Sequence, residues 1–92
     1  MEFEYDSKKS QINKAKHGID FEEAKQLFED ESSLIVPAKE VADEERYALI
    51  GRLDGKCYVA IFTFRGEKIR FISVRRCRKK EEANYEHYSK RV

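Results

Sequence analysis

The chain has 92 residues, which is enough for one small domain over residues 1–92, and 40% of its residues are charged. The net charge of +1 conceals an asymmetry, because residues 1–45 carry six Lys, no Arg and thirteen acidic residues, whereas residues 46–92 carry five Lys, eight Arg and five acidic residues. Six Phe and five Tyr exclude a disordered chain, and no apolar run approaches the roughly 20 residues that a membrane-spanning helix needs.

The first third of the chain predicts a short strand followed by two helices. The first five residues alternate as a strand does, and Asp6 or Ser7 can cap a helix that runs to about residue 17. Gly18 stands where a left-handed glycine ends a helix. Asp20 begins the second helix, because Glu23 follows at the capping-box spacing. Apolar residues then recur at helical period, namely Phe21, Ala24, Leu27 and Phe28.

The rest of the chain predicts four strands and a final helix. Pro37 should end the first of these strands, because proline cannot donate to a ladder, and residues 38–44 should form a loop or hairpin connection. Asp54-Gly55 has the sequence of a type I′ hairpin turn, and residues 65–67 form a second tight turn. The predicted strands are 33–36, 46–53, 56–64 and 68–74, with the third in a central position, and the predicted helix covers 78–90.

This order of elements predicts an α+β fold. We expect a small antiparallel sheet with two N-terminal helices packed on it and a C-terminal helix. The other face of the sheet should stay partly open. Arginine on such a face suits phosphate, because its guanidinium is a planar fork of donors, so the charge asymmetry indicates an RNA-binding surface. The same charges are also compatible with solvated strand edges and ordinary ion pairs.

Cys57 and Cys77 do not have the spacing of a metal-binding pair, and the charged first nine residues lack the apolar core of a signal peptide. We therefore expect reduced cysteines in a cytoplasmic protein. The chain has neither a metal-ligand motif nor a glycine-rich phosphate loop, so we expect no metal and no cofactor.

Several short strings occur in a fixed order along the chain. They are Tyr5-Asp6, Asn13, Lys16-His17-Gly18, Glu45-Arg46 and the run IRFISVRR from Ile69 to Arg76. Together they resemble the BrnT family of type II toxins, which is RelE/ParE-like, over roughly residues 3–88. Three residues differ from the family pattern, and each replaces one apolar residue by another. Tyr5 stands where the pattern has Trp, and Val74 and Cys77 stand where it has Ala.

The resemblance implies a small RelE-like fold and an endoribonuclease that cleaves RNA and blocks translation. It also implies a BrnA-like antitoxin protein that binds and neutralises the toxin, with operator DNA contacted only through that antitoxin. RelE-like toxins commonly cleave RNA with arginine, lysine and tyrosine side chains, so the resemblance implies a metal-independent reaction.

Cleavage of RNA without a metal needs a base for the 2′-hydroxyl, positive charge at the phosphate and an acid for the leaving 5′-oxygen. We expect Arg70 to hold the phosphate on the sheet face, and Glu45 to orient Arg46 or to act as a base. In a regular strand Arg75 points away from Arg70 while Arg76 shares its side, so a bulge or the strand end would have to redirect Arg75. The candidate catalytic residues are Arg46, Arg70, Arg75, Glu45 and Glu81.

Further residues are candidates for holding RNA. His17 also suits a structural role, because a protonated histidine at a helix C-terminus is favoured by the dipole. Tyr85 can stack on a base or pack the last helix onto the sheet, and the arginines can equally form structural ion pairs. The candidate RNA-binding residues are Lys14, Lys16, His17, Arg65, Arg76 and Tyr85.

Two other functions are compatible with the same fold. ParE-like proteins act on a protein target and cleave no RNA, so fold alone does not decide function. The chain is therefore also a candidate for a non-catalytic binding module, or for a co-repressor that still pairs with its antitoxin. The basic second half favours RNA.

Overall fold

The computed structural model describes residues 1–89, within which there are five strands and three helices. Their order matches the predicted one, and the predicted helix end at Lys90 lies outside the described residues. The elements are β1 (Glu2–Glu4), α1 (Ser7–His17), α2 (Phe21–Ala24) continuing as a 3₁₀ helix (Lys25–Glu29), β2 (Leu34–Val41), β3 (Glu44–Leu53), β4 (Lys56–Arg65), β5 (Lys68–Arg76) and α3 (Lys79–Ser89).

The five strands form one sheet in the order β1-β5-β4-β3-β2. Strands β2 to β5 are an antiparallel meander, whereas β1 pairs with β5 in parallel, with Glu2 opposite Lys68 and Glu4 opposite Arg70. The sheet is therefore mixed, and the predicted purely antiparallel sheet is wrong. Alternation within so short a strand identifies a strand but says nothing about the direction of its partner. The chain remains α+β.

Side-chain caps begin the two N-terminal helices. The Asp6 carboxylate accepts hydrogen bonds of 2.8 and 3.2 Å from two backbone N–H groups in the first turn of α1, and Gly18 ends that helix at a φ of 77°. Asp20 and Glu23 form the predicted capping box. The second predicted helix is shorter than expected, because the chain tightens into a 3₁₀ helix after Ala24. Within residues 1–89 no helix has the length and hydrophobicity needed to cross a membrane.

Strand β2 is longer than predicted. It spans eight residues, and Pro37 lies within it, opposite Tyr47. Proline is tolerated there because β2 is the edge of the sheet and has no neighbour that needs the missing N–H. The loop predicted over residues 38–44 is instead a two-residue turn at Ala42 and Asp43, whose φ angles of 51° and 61° are those of a type I′ hairpin.

One face of the sheet is covered by α1, α2 and the 3₁₀ helix, and we call it the helical face. Its core is rich in stacked rings, with the centroids of Phe21 and Phe71 5.6 Å apart and those of Phe28 and Phe62 5.3 Å apart. Each such side chain contributes about 2 to 3 kcal/mol of transfer free energy when it leaves water. This core therefore fixes the positions of the N-terminal helices.

The opposite face, which we call the open face, is covered only at one end. There α3 packs through Tyr85, which is 5% exposed, onto a small core that includes Ile50 and Val59. The other end of this face carries polar and charged side chains from β3, β4 and β5. The two faces thus match the predicted contrast between a covered and a partly open side.

Cys57 and Cys77 are joined by a disulfide, with their Cα atoms 5.3 Å apart, so the expected free thiols are not what the structure contains. The two residues are distant in sequence, but Cys77 directly follows β5 and Cys57 lies on the neighbouring antiparallel strand β4. The backbone N–H of Cys77 donates to the carbonyl of Cys57 at 2.9 Å. The bond ties the link between β5 and α3 to the beginning of β4.

Asn13 connects α1 to β5 through both ends of its amide. Its Nδ2 donates to the carbonyl oxygens of Ile19 at 2.8 Å and Val74 at 2.9 Å, and its Oδ1 accepts from the N–H of Val74 at 3.1 Å. β1 pairs with β5 only as far as Arg70, so Asn13 replaces a neighbouring strand at Val74. The side chain is buried, and its loss would leave buried backbone groups without partners.

We expect Asn13→Ala to lower the free energy of unfolding by about 2 to 4 kcal/mol, because it leaves several buried backbone groups without partners. Urea denaturation measures this change. Gln11→Ala is the matched control on the exposed side of the same helix and should change the stability by less than about 0.5 kcal/mol. Equal effects of the two substitutions would contradict the role assigned to Asn13.

Candidate functional site

An extra residue in β5 decides which of its arginines share a face. Phe62 of β4 lies opposite Phe71 and Ile61 lies opposite Ser73, so Ile72 has no partner in β4. This is the two-against-one pairing of a β-bulge, and it shifts the alternation of side chains between the two faces by one residue.

Because of this bulge, Arg70 and Arg75 both belong to the open face. Arg70 alternates with residues of the helical-face core, whereas Arg75 directly follows Val74 of that core and lies opposite Val59 of the open-face core. Of the two features expected to redirect Arg75, a bulge or the strand end, the structure contains the bulge.

Arg46 reaches the same face from β3. It alternates with Tyr47, which packs on the helical-face core, and Thr63 of β4 lies between the Arg46 and Arg70 positions. The Thr63 hydroxyl donates to the carbonyl of Glu45 at 2.7 Å. Two strand spacings separate the Arg46 and Arg70 backbones by about 10 Å, a gap that two extended arginine side chains can bridge through one phosphodiester.

Arg70 and Arg75 are each held by an acidic residue. Arg70 donates to Glu4 of β1 at 3.2 Å. Arg75 donates two hydrogen bonds of 2.8 Å, one to each carboxylate oxygen of Glu81 at the beginning of α3. This bidentate contact raises the pKa of Arg75 and lowers the pKa of Glu81. Both side chains of the second pair are about a quarter exposed, at 26% and 24%, so a ligand can reach them.

The Arg46 guanidinium faces Glu44 and not the predicted Glu45. Glu44 lies 3.5 Å from both Arg46 and Arg65, whereas Glu45 accepts a hydrogen bond of 3.1 Å from the Tyr47 hydroxyl. Adjacent strand residues point to opposite faces, which is why the expected orientation of Arg46 by Glu45 is wrong. At 3.5 Å the Arg46 Nε makes an ion pair but no hydrogen bond, and within residues 1–89 this buried atom has no hydrogen-bond partner.

The remaining basic candidates lie on the helical side of the sheet. Lys14 pairs with Glu23 at 2.8 Å, and Lys16 and His17 complete the last turn of α1. The bulge turns Arg76 toward the same side, where its guanidinium lies 5.6 Å from the ring centre of Tyr58. The structure therefore does not bring these residues onto the open face with the three arginines.

Tyr85 anchors α3 and does not present its ring to solvent. Its hydroxyl donates to Asp30 at 2.7 Å, and the Arg52 guanidinium lies 5.0 Å from its ring centre. Burial and the hydrogen bond to Asp30 raise the pKa of Tyr85. Asp30 also accepts from the backbone N–H of Arg52 at 2.8 Å, so one carboxylate joins the 3₁₀ helix, β3 and α3. In this conformation Tyr85 is not accessible for stacking on a base.

Within residues 1–89 no group of three or more His, Cys, Asp or Glu side chains is arranged to hold a metal ion.

A shallow groove lies beside Arg46 at the β2–β3 hairpin. The groove is lined by Pro37, Ala38, Glu40, Glu45, Arg46 and Tyr47.

Comparison with known families identifies the chain. The model of the family described as "Ribonuclease toxin, BrnT, of type II toxin-antitoxin system" matches residues 5–81. The chain belongs to the BrnT family. This confirms the resemblance found in the sequence, and it makes RNA the substrate class and an antitoxin protein the partner class. The match includes Arg46, Arg70, Arg75 and Glu81. No curated protein matches the chain significantly.

Sequence reasoning missed three members of the candidate site. Glu4, Glu44 and Thr63 all contact or lie between the open-face arginines. Glu44 could have been found, because it stands two residues before Arg46 and so shares its side of the strand. Glu4 could not, since its place beside Arg70 depends on the parallel pairing of β1.

We expect the Arg75–Glu81 pair to make stability depend on pH. The folded-state pKa of Glu81 lies below its ordinary value of 4.5, so the stabilisation is fully present above that value and is lost as the pH falls through the folded-state pKa. Glu81→Gln should be less stable than the wild type near neutral pH, and this difference should shrink as the pH falls below 4.5. Urea midpoints over this range measure it.

The matched control is the same substitution in an Arg75→Gln background, where the partner is already absent. There, Glu81→Gln should have a much smaller effect, and that effect should depend less on pH. A difference between wild type and Glu81→Gln that stays constant down to acid pH would contradict the assignment.

Proposed function

We propose that this chain is a metal-independent endoribonuclease whose site is the open face around Arg46, Arg70 and Arg75. The observation that carries the proposal is the bulge at Ile72, which puts two arginines of one strand on the same side as a third from β3. Three guanidinium groups can supply the positive charge that the phosphate needs as the transition state forms. Membership of a family of ribonuclease toxins supports RNA as the substrate.

The reaction we propose is transesterification at one phosphodiester of the RNA. The 2′-oxygen forms a bond to phosphorus as its proton passes to a base, and the bond from phosphorus to the 5′-oxygen breaks. The products are a 2′,3′-cyclic phosphate and a 5′-hydroxyl, and on this solvent-exposed face water supplies the proton of the leaving oxygen. Arg70 and Arg46 hold the non-bridging oxygens from two sides.

Glu81 is the base in this scheme, and Arg75 controls it. In the free protein the two hydrogen bonds from Arg75 lower the pKa of Glu81, which makes its carboxylate a weak base. A bound phosphate competes for Arg75, and loss of the Arg75 hydrogen bonds raises the pKa of Glu81. The carboxylate then becomes a better proton acceptor once the substrate is in place.

We further propose that cleavage blocks translation in the cytoplasm and that a BrnA-like antitoxin neutralises the chain. The family supports an antitoxin protein as partner in general terms. An antitoxin that covers the open face would exclude RNA from all three arginines at once. Operator DNA would then be contacted through the antitoxin.

Arg70→Ala and Arg75→Ala should each lower the rate of RNA cleavage by about 10² to 10³-fold, because each removes one group that stabilises transition-state charge. The assay uses purified RNA with EDTA present, and cleavage by the wild-type chain should persist there. Arg75→Lys keeps the positive charge but lacks the two parallel donors of the guanidinium. It replaces Arg75→Ala in the assay if the alanine variant does not fold.

Arg52→Ala is the matched control, because Arg52 lies on the same face but under α3, where it pairs with Glu86 at 3.0 Å. It should cleave RNA at close to the wild-type rate. Wild-type rates for both Arg70→Ala and Arg75→Ala would overturn the site.

A non-catalytic binding module is the competing function. The observation in its favour is that each of Arg46, Arg70 and Arg75 has an acidic partner in the folded chain, as structural arginines do. This function predicts that the wild-type chain leaves both free and ribosome-bound RNA intact and yet binds its antitoxin.

A further inference from the structure

A second group of cations lies beside the proposed site, where β5 ends and α3 begins. We call Arg76, Arg78, Lys79 and Lys80 the basic strip, and all four are exposed. Within residues 1–89 none of their side chains forms an ion pair, in contrast to Arg46, Arg70 and Arg75, which are all paired. The strip is therefore a patch of positive charge with little local compensation.

The fold extends this strip with cations from another element. The hydrogen bonds between Asn13 and Val74 hold α1 against the end of β5, and Lys16 and His17 stand in the last turn of this helix. The guanidinium of Arg76 is oriented by the ring of Tyr58, 5.6 Å from its centre.

The position of the strip relative to the proposed site follows from the bulge. Arg75 and Arg76 are adjacent in sequence but point to opposite faces, Arg75 toward Glu81 and Arg76 toward Tyr58. A strand of RNA held on the open face by Arg75 therefore meets the strip as soon as it passes the end of β5. The strip continues the proposed site around the edge of the sheet.

Local electrostatics disfavour these cations unless an anion is bound. Lys79 and Lys80 stand in the first turn of α3, where the helix dipole disfavours positive charge. The same turn contains the acidic residues Glu81 and Glu82, of which Glu81 already has both carboxylate oxygens engaged by Arg75. A sequence that breaks a local rule in this way is typical of a functional surface.

We propose that the basic strip binds the RNA backbone next to the cleaved bond, without regard to base sequence. The proposal rests on the function proposed above and extends it to residues outside the reacting centre. An RNA backbone is favoured over a protein partner because the strip is charged without an apolar centre. Protein interfaces have an apolar core, whereas nucleic acid backbones bind through charge and counterion release.

The test is the salt dependence of RNA binding in a triple variant, Arg78→Gln with Lys79→Gln and Lys80→Gln. The probe is a fluorescent 2′-O-methyl oligonucleotide, which lacks the hydroxyl that attacks phosphorus and so cannot be cleaved. Each phosphate contact to a single strand contributes about 0.7 to the slope of log affinity against log salt. The triple variant should therefore lose about 2 from the slope, which is about 10²-fold in affinity at about 0.1 M salt.

Cleavage kinetics provide a second readout. The pKa of Glu81 is lowered by the Arg75 hydrogen bonds and also by the charge of Arg78, so this readout uses the double variant Lys79→Gln with Lys80→Gln. Neither lysine touches the reacting atoms, and the double variant should raise KM for RNA and leave kcat near the wild-type value. The charge-matched control is Lys8→Gln with Lys39→Gln and Lys68→Gln, which removes three exposed lysines elsewhere on the chain. It should keep most of the wild-type slope.

An unchanged slope in the triple variant, or an equal loss in the control, would overturn the basic strip while leaving the cleavage site intact. A poly-glutamate peptide that binds the wild-type chain more tightly than an oligonucleotide of equal charge would also overturn the basic strip as an RNA site, if the triple variant no longer binds that peptide. A wild-type chain that neither binds nor cleaves RNA would overturn the proposed function together with the strip.

Discussion

Asn13 completes the hydrogen bonding of β5 at the point where β1 has ended, and the end of β5 depends on it. Its amide bonds both backbone groups of Val74, two residues after the unpaired Ile72. The bulge and these bonds together set which side each later residue of β5 takes. Arg75 is thereby turned to the open face, where it meets Glu81 of α3. The proposed site thus depends on a buried amide on the opposite side of the sheet.

The fold could be predicted wherever the sequence carries local chemistry. The capping box of Asp20 and Glu23 and the Asp54-Gly55 turn each have a physical cause within a few residues, and the structure contains both. The direction of β1 and the pairing of Cys57 with Cys77 depend on which strands become neighbours, which no local pattern encodes. The continuation of β2 through Pro37 likewise required knowing that β2 is an edge strand.

For the site, residue types could be predicted but their grouping could not. Arginines of the second half were expected on an open sheet face. The alternation of side chains along a strand showed that Arg70 and Arg75 could meet only if a bulge or the strand end redirected Arg75. No sequence signal placed that bulge at Ile72. The alternation of side chains along a strand contradicted the pairing of Glu45 with Arg46. Applied to β3, the same rule would have selected Glu44 as the partner of Arg46. Tyr85 illustrates the remaining ambiguity, because a tyrosine on a polar helix can either stack on an RNA base or pack into the core of the protein.

The proposed site requires Arg70 and Arg75 to contact the same RNA. NMR of the arginine Nε–H groups during titration with a short 2′-O-methyl oligonucleotide tests this requirement, with Arg52 as the internal reference. The Arg70 and Arg75 signals should shift together, with one dissociation constant, while Arg52 stays in place. Signals of Arg70 and Arg75 that shift at different RNA concentrations, or a shift of only one of them, would contradict a shared site.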